Sequence, residues 1–182
     1  MNLASLADQN LTEYGDYERL FFEERTYTNR ELHDQSARLA AALRALGLSE
    51  NDKVVVMMPN RPEVFMSYPA VWRAGMTVIP VLFMLEATEL KFILENSEAR
   101  AIVTSPDILH RVEAAVRALG REIFVIVASG DDPPPSGTLS FDELVRSHEP
   151  MTAITPRGKD DLATILYTSG TTGQPKGVMQ TH

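Results

Sequence analysis

The sequence predicts an α/β fold, a mostly parallel sheet with helices against both faces. Two observations lead there. Four short runs, Lys53–Met58, Thr77–Val81, Ala101–Thr104 and Ile123–Ala128, are almost wholly apolar and rich in β-branched residues. That is the pattern of strands buried on both faces. These runs alternate with stretches whose apolar residues recur at helical spacing. Serial strand–helix–strand units close through right-handed crossovers and give parallel sheets. No repeat at a solenoid period interrupts the alternation.

Each element has a local reason. After a polar start, Arg19–Phe22 and Arg25–Thr28 flank Glu23-Glu24 as a short hairpin. Thr28 and Glu31 fit a capping box, with the hydroxyl taking the Glu31 amide and the carboxylate reaching back. Leu32, Leu39, Leu43 and Leu46 continue that helix, and Gly47 stops it. Pro62 suits the first turn of a helix running to Ala74 and closed by Gly75. Helices follow over Glu89–Asn96 and Pro106–Leu119, the second ended by Gly120. Ser129–Gly137 holds three consecutive prolines and reads as a surface loop within one domain rather than a domain boundary. Ser140 and Glu143 offer a second capping box for a helix to about Ser147, and Leu162–Tyr167 is the next apolar strand. Trp72 reads as core rather than a stacking platform, the Asp160-Asp161 pair as a solvated approach to the last strand, and His182 as frayed.

Composition excludes several function classes. Of 182 residues, 44% are hydrophobic and 23% charged, which is ordinary for a globular chain and unlike a disordered one. Net charge is −8, with −4 on residues 1–91 (nine basic, thirteen acidic) and −4 on the rest. No basic face invites nucleic acid or anionic lipid. The absence of cysteine removes disulfides, thiol catalysis and thiolate metal sites. The histidines at 33, 110, 148 and 182 are too scattered for a metal motif. The first ten residues lack the basic and apolar blocks of a signal peptide. The longest apolar run, Met76–Leu85, is half the ~20 residues that span a bilayer. A soluble, cytoplasmic chain is expected.

Chemistry concentrates in Thr168-Ser169-Gly170-Thr171-Thr172-Gly173-Gln174-Pro175-Lys176-Gly177. Four hydroxyls, three glycines and one lysine stand there without an acid. Glycines allow positive φ and close backbone approach, amides and hydroxyls can surround a polyanion, and the ammonium adds a point charge. Each charge-assisted hydrogen bond contributes about 1.5–3 kcal/mol. Triphosphate binding is the chemistry implied, and an ordinary Gly/Thr-rich turn is the plain alternative. A Walker loop needs Gly-Lys-Ser/Thr opening a helix, whereas Pro175 and Gly177 flank the lysine and Val178-Met179 reads as a strand. The dinucleotide fingerprint Gly-x-Gly-x-x-Gly is absent.

Tyr167–Val178 resembles, at every position, the phosphate-loop signature of the adenylate-forming superfamily, which includes acyl-CoA synthetases, nonribosomal-peptide adenylation domains and luciferases. Tyr27–Leu32 resembles that family's early Tyr-x-Glu-Leu helix start. Trp72-Arg73-Ala74-Gly75 with Val78-Ile79-Pro80 resembles its Lys-Ala-Gly…Val-Pro segment, with arginine at the lysine position. The resemblance runs from about residue 12 to His182.

The resemblance implies a reaction in two steps: ATP and a carboxylate give an acyl-adenylate and pyrophosphate, and a thiol such as coenzyme A then takes the acyl group. It implies that Thr168, Ser169, Thr171 and Thr172 supply hydroxyls, with Thr172 beside Mg²⁺. Gly170 and Gly173 would permit close approach, Gln174 and Pro175 complete the loop, and Lys176 carries compensating charge. Thr171, Thr172 and Lys176 would act on the leaving pyrophosphate. The family's adenine pocket, ribose-binding aspartate, most of its acyl tunnel and its small C-terminal domain all follow the signature. An incomplete, N-terminal portion of the adenylate-forming fold is therefore expected, inactive alone and prone to self-association through an exposed sheet edge. Acyl specificity would be set mainly after the phosphate loop. A fatty-acid or other acyl-CoA ligase is favoured; a non-catalytic nucleotide-binding or interaction module and a structural remnant stay open.

Overall fold

The computed structural model describes residues 1–130, 132–168 and 175–182. In chain order it contains α1 (Ser5–Tyr14), β1 (Glu18–Phe22), β2 (Arg25–Thr28), α2 (Asn29–Ala45), β3 (Lys53–Met57), α3 (Pro62–Arg73) and β4 (Thr77–Pro80). There follow α4 (Ala87–Ser97), β5 (Ala101–Thr104), a 3-10 turn at Pro106–Ile108, α5 (Leu109–Leu119), β6 (Phe124–Val127) and β7 (Leu139–Ser140). The last are α6 (Phe141–Ser147), β8 (Leu162–Thr168) and β9 (Lys176–Thr181). Among the described residues β1 and β2 pair only with each other, and the remaining strands form one sheet in the order β7-β6-β5-β3-β4-β8-β9. Every pair in that sheet is parallel except β8 with β9.

Strand parity divides the core into two layers. Val54 and Val56 of β3 join Leu39 and Leu43 of α2, Met66 and Ala70 of α3 and Phe141 of α6. Val55 and Met57 point the other way, into Ile93 and Leu94 of α4 and Val112 and Ala115 of α5. Each fully buried leucine or isoleucine contributes about 1.5–3 kcal/mol, so the continuous apolar runs are explained by double burial. The chain steps from β3 to β4 in one direction and then crosses back to β5 on the far side of β3. With right-handed crossovers this reversal sends α3 and α4 to opposite faces. It also leaves a crevice at the carboxyl ends of the strands.

Several local expectations need correction. The polar start is helical: α1 carries no side-chain cap and shows no strong apolar stripe. It is held by distant partners. The Asn2 amide donates to Trp72 O (2.7 Å) and Thr155 O (2.9 Å), and Asp8 bonds His33 of α2 (2.6 Å) and Arg73 of α3. At α2 only half of the capping box forms. Thr28 Oγ1 accepts from the Glu31 amide at 3.2 Å, but the Glu31 carboxylate turns to Arg25 and Gln35. A complete box appears at α4 instead, between Glu86 and Glu89; glutamate is not a favoured N-cap, so the sequence gives little warning. The residues either side of Pro133–Pro135 pair in one sheet, since Ile126 and Val127 of β6 meet Leu139 and Ser140 of β7.

His182 is fixed rather than frayed. Its amide donates to Asp161 O and its Nδ1 accepts from the Leu3 amide, both at 3.1 Å. Partial burial, then the nearby Arg157 guanidinium, hold the imidazole below its ordinary value of 6.5. The folded chain therefore binds this proton less readily than the unfolded chain. The stabilisation is complete above pH 6.5 and is lost as pH falls below it. We expect the thermal midpoint of the protein to fall more steeply between about pH 7 and 5 than that of His182→Gln. Equal slopes would refute the assignment.

Candidate functional site

The site begins with one missing amide. In β4, Thr77 N and Val81 N both donate toward β3, to Asp52 O and Val56 O at 2.9 Å. Residues 78 and 80 therefore face β8. Position 80 is proline and has no N–H to offer. The register between β4 and β8 is a single pair, Val78↔Thr164, since Pro80 cannot extend the ladder. Between their ends lies a cavity of about 530 Å³. Its walls are mainly apolar, with Val56, Met58, Val64, Leu85, Ile93 and Leu166 prominent. Asn60, Tyr68 and Thr168 bring polar groups to it.

On its other edge β8 pairs antiparallel with β9 from Leu162 to Thr168. Thr168 stands opposite Lys176 and Tyr167 opposite Gly177. A hydroxyl and an ammonium residue thus share one rung where the hairpin opens, at the carboxyl end of the parallel strands. Lys176 begins a strand, not a helix, which removes the Walker geometry as the sequence expected. Of the residues singled out in the signature, Thr168, Pro175 and Lys176 are placed; Thr168 and Pro175 border the cavity and Lys176 is exposed. Ser169, Gly170, Thr171, Thr172, Gly173 and Gln174, and with them the Mg²⁺ assignment at Thr172, lie outside the described residues. Among the described residues no group of three or more His, Asp or Glu side chains is arranged to hold a metal.

Two tethers fix the base of the hairpin. Trp72 Nε1 of α3 donates to Ala163 O of β8 at 2.9 Å, which gives this half-buried tryptophan the structural role expected of it. Tyr167 Oη donates to Asn96 Oδ1 of α4 at 2.6 Å. A Cβ built on Gly177 would lie 3.0 Å from Ile165 Cγ2 and 3.3 Å from Tyr167 Cζ. Gly177 therefore makes room for the tyrosine ring, a packing role the motif alone did not disclose. Burial pushes the Tyr167 and Tyr68 phenols up from their ordinary value, so both hydroxyls stay protonated donors at neutral pH. Tyr68 stacks edge-on against Trp72, with ring centroids 6.1 Å apart.

Neither the cavity nor Asn60 and Tyr68 was foreseen. The signal was present in Pro80, a proline closing a buried strand, and in Asn60 just after β3, but its meaning depends on which neighbour each amide faces.

The outermost strand, β9, is exposed along its length, including Val178 and Met179. No helix among the described residues is long and apolar enough to cross a membrane.

A parallel sheet with a switch point, carrying a glycine- and hydroxyl-rich hairpin at its carboxyl end, defines the class: the N-terminal part of an adenylate-forming fold. The chain belongs to the AMP-binding enzyme family, whose pattern matches residues 7–182. It is 30% identical over 188 residues to crotonobetaine/carnitine–CoA ligase of Citrobacter koseri, covering 100% of this chain and 36% of that protein. It is 34% identical over 158 residues to feruloyl-CoA synthase of an Amycolatopsis species, covering 85% of this chain and 28% of the relative. Its fold superposes on a solved anthranilate CoA ligase with a TM-score of 0.93 at 24% identity, over 100% of this chain and 35% of the other. The chain thus spans about a third of the length of the relatives it matches.

Proposed function

We propose that residues 168–176 grip the β- and γ-phosphates of Mg²⁺-bound ATP within an acid–thiol ligase of the acyl-CoA synthetase type. The observation that carries this reading is the rung Thr168↔Lys176 at the open end of the β8–β9 hairpin. It brings a hydroxyl and an ammonium residue to one end of the sheet, with the signature's remaining hydroxyls between them in sequence. In the reaction a carboxylate oxygen forms a bond to the α-phosphorus, and the bond from that phosphorus to the β-bridging oxygen breaks. The electron pair leaves with pyrophosphate. Coenzyme A sulfur then attacks the acyl carbon and AMP departs. Charge grows on the leaving pyrophosphate, so donors already in place favour the transition state over the ground state. Thr171, Thr172 and Lys176 would take that role, and Thr172 would be the residue to meet the Mg²⁺ of the substrate.

Titration with Mg²⁺-ATP tests the reading. The 182-residue chain should bind saturably, and Lys176→Ala should bind about ten- to a hundredfold more weakly, the loss of one charge-assisted hydrogen bond. Identical titrations for the two proteins would overturn it and favour a structural remnant. Acid-dependent exchange of pyrophosphate into ATP is expected to be absent from these residues alone, since positioning of both substrates supplies much of the rate. ATP binding without such exchange in a longer form of the protein would favour a non-catalytic nucleotide module. Cytoplasmic location, and self-association through the exposed β9 edge, belong to the same proposal.

A further inference from the structure

The end of β8 away from the phosphate loop holds two buried N–H donors that no acceptor meets among the described residues. Arg157 lies in the segment before β8, and its side chain is 7% exposed. Its Nη2 donates to Gly75 O, but Nε is buried without a partner. His182 follows Thr181, which pairs with Leu162 at the start of β8, and its Nε2 is likewise buried and unpartnered. The other ring nitrogen fixes what Nε2 is. Nδ1 accepts from the Leu3 amide at 3.1 Å, so the neutral imidazole carries its hydrogen on Nε2.

Asp161 ties the two donors to one place. Its carbonyl accepts from the His182 amide at 3.1 Å, and its Oδ2 lies 4.0 Å from Arg157 Nη1. That carboxylate is held by the Gly158 amide at 2.8 Å. The Arg157 guanidinium and the Met1 amino group act on the His182 ring as positive charges, and Asp161 acts as a negative one. A donor taken out of water is costly unless an acceptor replaces the water.

We propose that a small monovalent anion of the chloride class bridges Arg157 Nε and His182 Nε2. An anion only accepts, which suits two donors beside a fixed cation, and its hydrogen bonds there are charge-assisted. A dianion is disfavoured, because Glu50 Oε2 at 3.8 Å and Asp161 already share the guanidinium's charge. Burial of both nitrogens favours a small ion over a strongly hydrated oxyanion. The ion would join the first residues of the chain to the segment before β8 and to the end of β9. This site is independent of the phosphate reading, since Thr168 and Lys176 stand at the other end of the β8–β9 ladder.

An anion that binds only the folded chain raises its thermal midpoint with concentration. The test compares sodium chloride with sodium gluconate at equal ionic strength and pH 8, where His182 is neutral. Chloride should raise the midpoint by about 3 °C or more between about 5 and 300 mM and then saturate, while gluconate leaves it flat. Bromide should replace chloride. Arg157→Met and His182→Phe should each abolish the difference between the two salts while far-UV circular dichroism shows the fold retained. Crystals of the unaltered protein grown in bromide should show anomalous scattering between the two nitrogens, which locates the ion without any substitution.

Equal midpoints in chloride and gluconate would overturn the proposal and leave the two donors to water. A chloride-specific rise that survives in either folded variant, or a bromide peak elsewhere, would overturn it by placing the ion at another site.

Discussion

Gly75→Ala is expected to destabilise the protein by about 3 kcal/mol. The residue ends α3 at φ +75°, a conformation costing an L-residue about 1–2 kcal/mol. A Cβ there would also lie 2.6 Å from Thr155 Cγ2 and 3.0 Å from Thr155 Cβ. Thr155 cannot easily retreat, because its amide donates to Arg73 O at 2.9 Å and its carbonyl accepts from Asn2. The Gly75 carbonyl is engaged as well, by the Asn51 amide at 3.0 Å and by Arg157. Urea unfolding monitored at Trp72 measures the loss. Placing Gly75→Ala in a Thr155→Ser background should recover the part due to the methyl clash and leave the backbone part. A midpoint within about 0.5 kcal/mol of the parent, the range of an ordinary surface change, would contradict the packing described.

Arg73→Met should cost about 2–4 kcal/mol. Arg73 is 2% exposed and its guanidinium serves two places at once. Nη1 donates to Met151 O and Thr152 O at 3.2 and 3.4 Å, while Nη2 meets Asp8 and approaches His33 Nε2 at 3.2 Å. Methionine matches the volume, leaves both carbonyls without the Arg73 donor and leaves the Asp8 carboxylate with His33 alone. Lysine, which the family resemblance places at this position, could serve one set but not both. Asp8→Asn should cost less than Arg73→Met, because the Asp8 side chain is 38% exposed and screened by water. Equal losses would show that the ion pair, not the carbonyls, carries the effect.

What the sequence disclosed followed the range of the forces involved. Runs such as Val54–Met57 and Ala101–Thr104 are legible because double burial alone demands them, and Pro62, Gly75 and Gly120 mark helix ends through their own backbone preferences. Helix α1 was not legible, because Asp8 and Asn2 hold it through partners 25 to 153 residues away. The half-formed capping box at α2 turned on Arg25 of β2 attracting the Glu31 carboxylate in the first turn of that helix. At the candidate site, the spacing of hydroxyls, glycines and lysine is what suggests the phosphate chemistry proposed above. The cavity was hidden because Pro80 matters only once its neighbours on each side are known.

The Trp72 and Tyr167 bonds anchor β8 to helices on opposite faces of the sheet, and the β8–β9 ladder sets the gap between positions 168 and 176. A segment whose two ends are already held at fixed separation has lost its end-to-end entropy before any anion arrives. Affinity for a polyphosphate is correspondingly less diminished by the ordering that binding requires. Under the proposed phosphate role, loosening either anchor, for instance by Asn96→Ala, would weaken Mg²⁺-ATP binding in the titration described above.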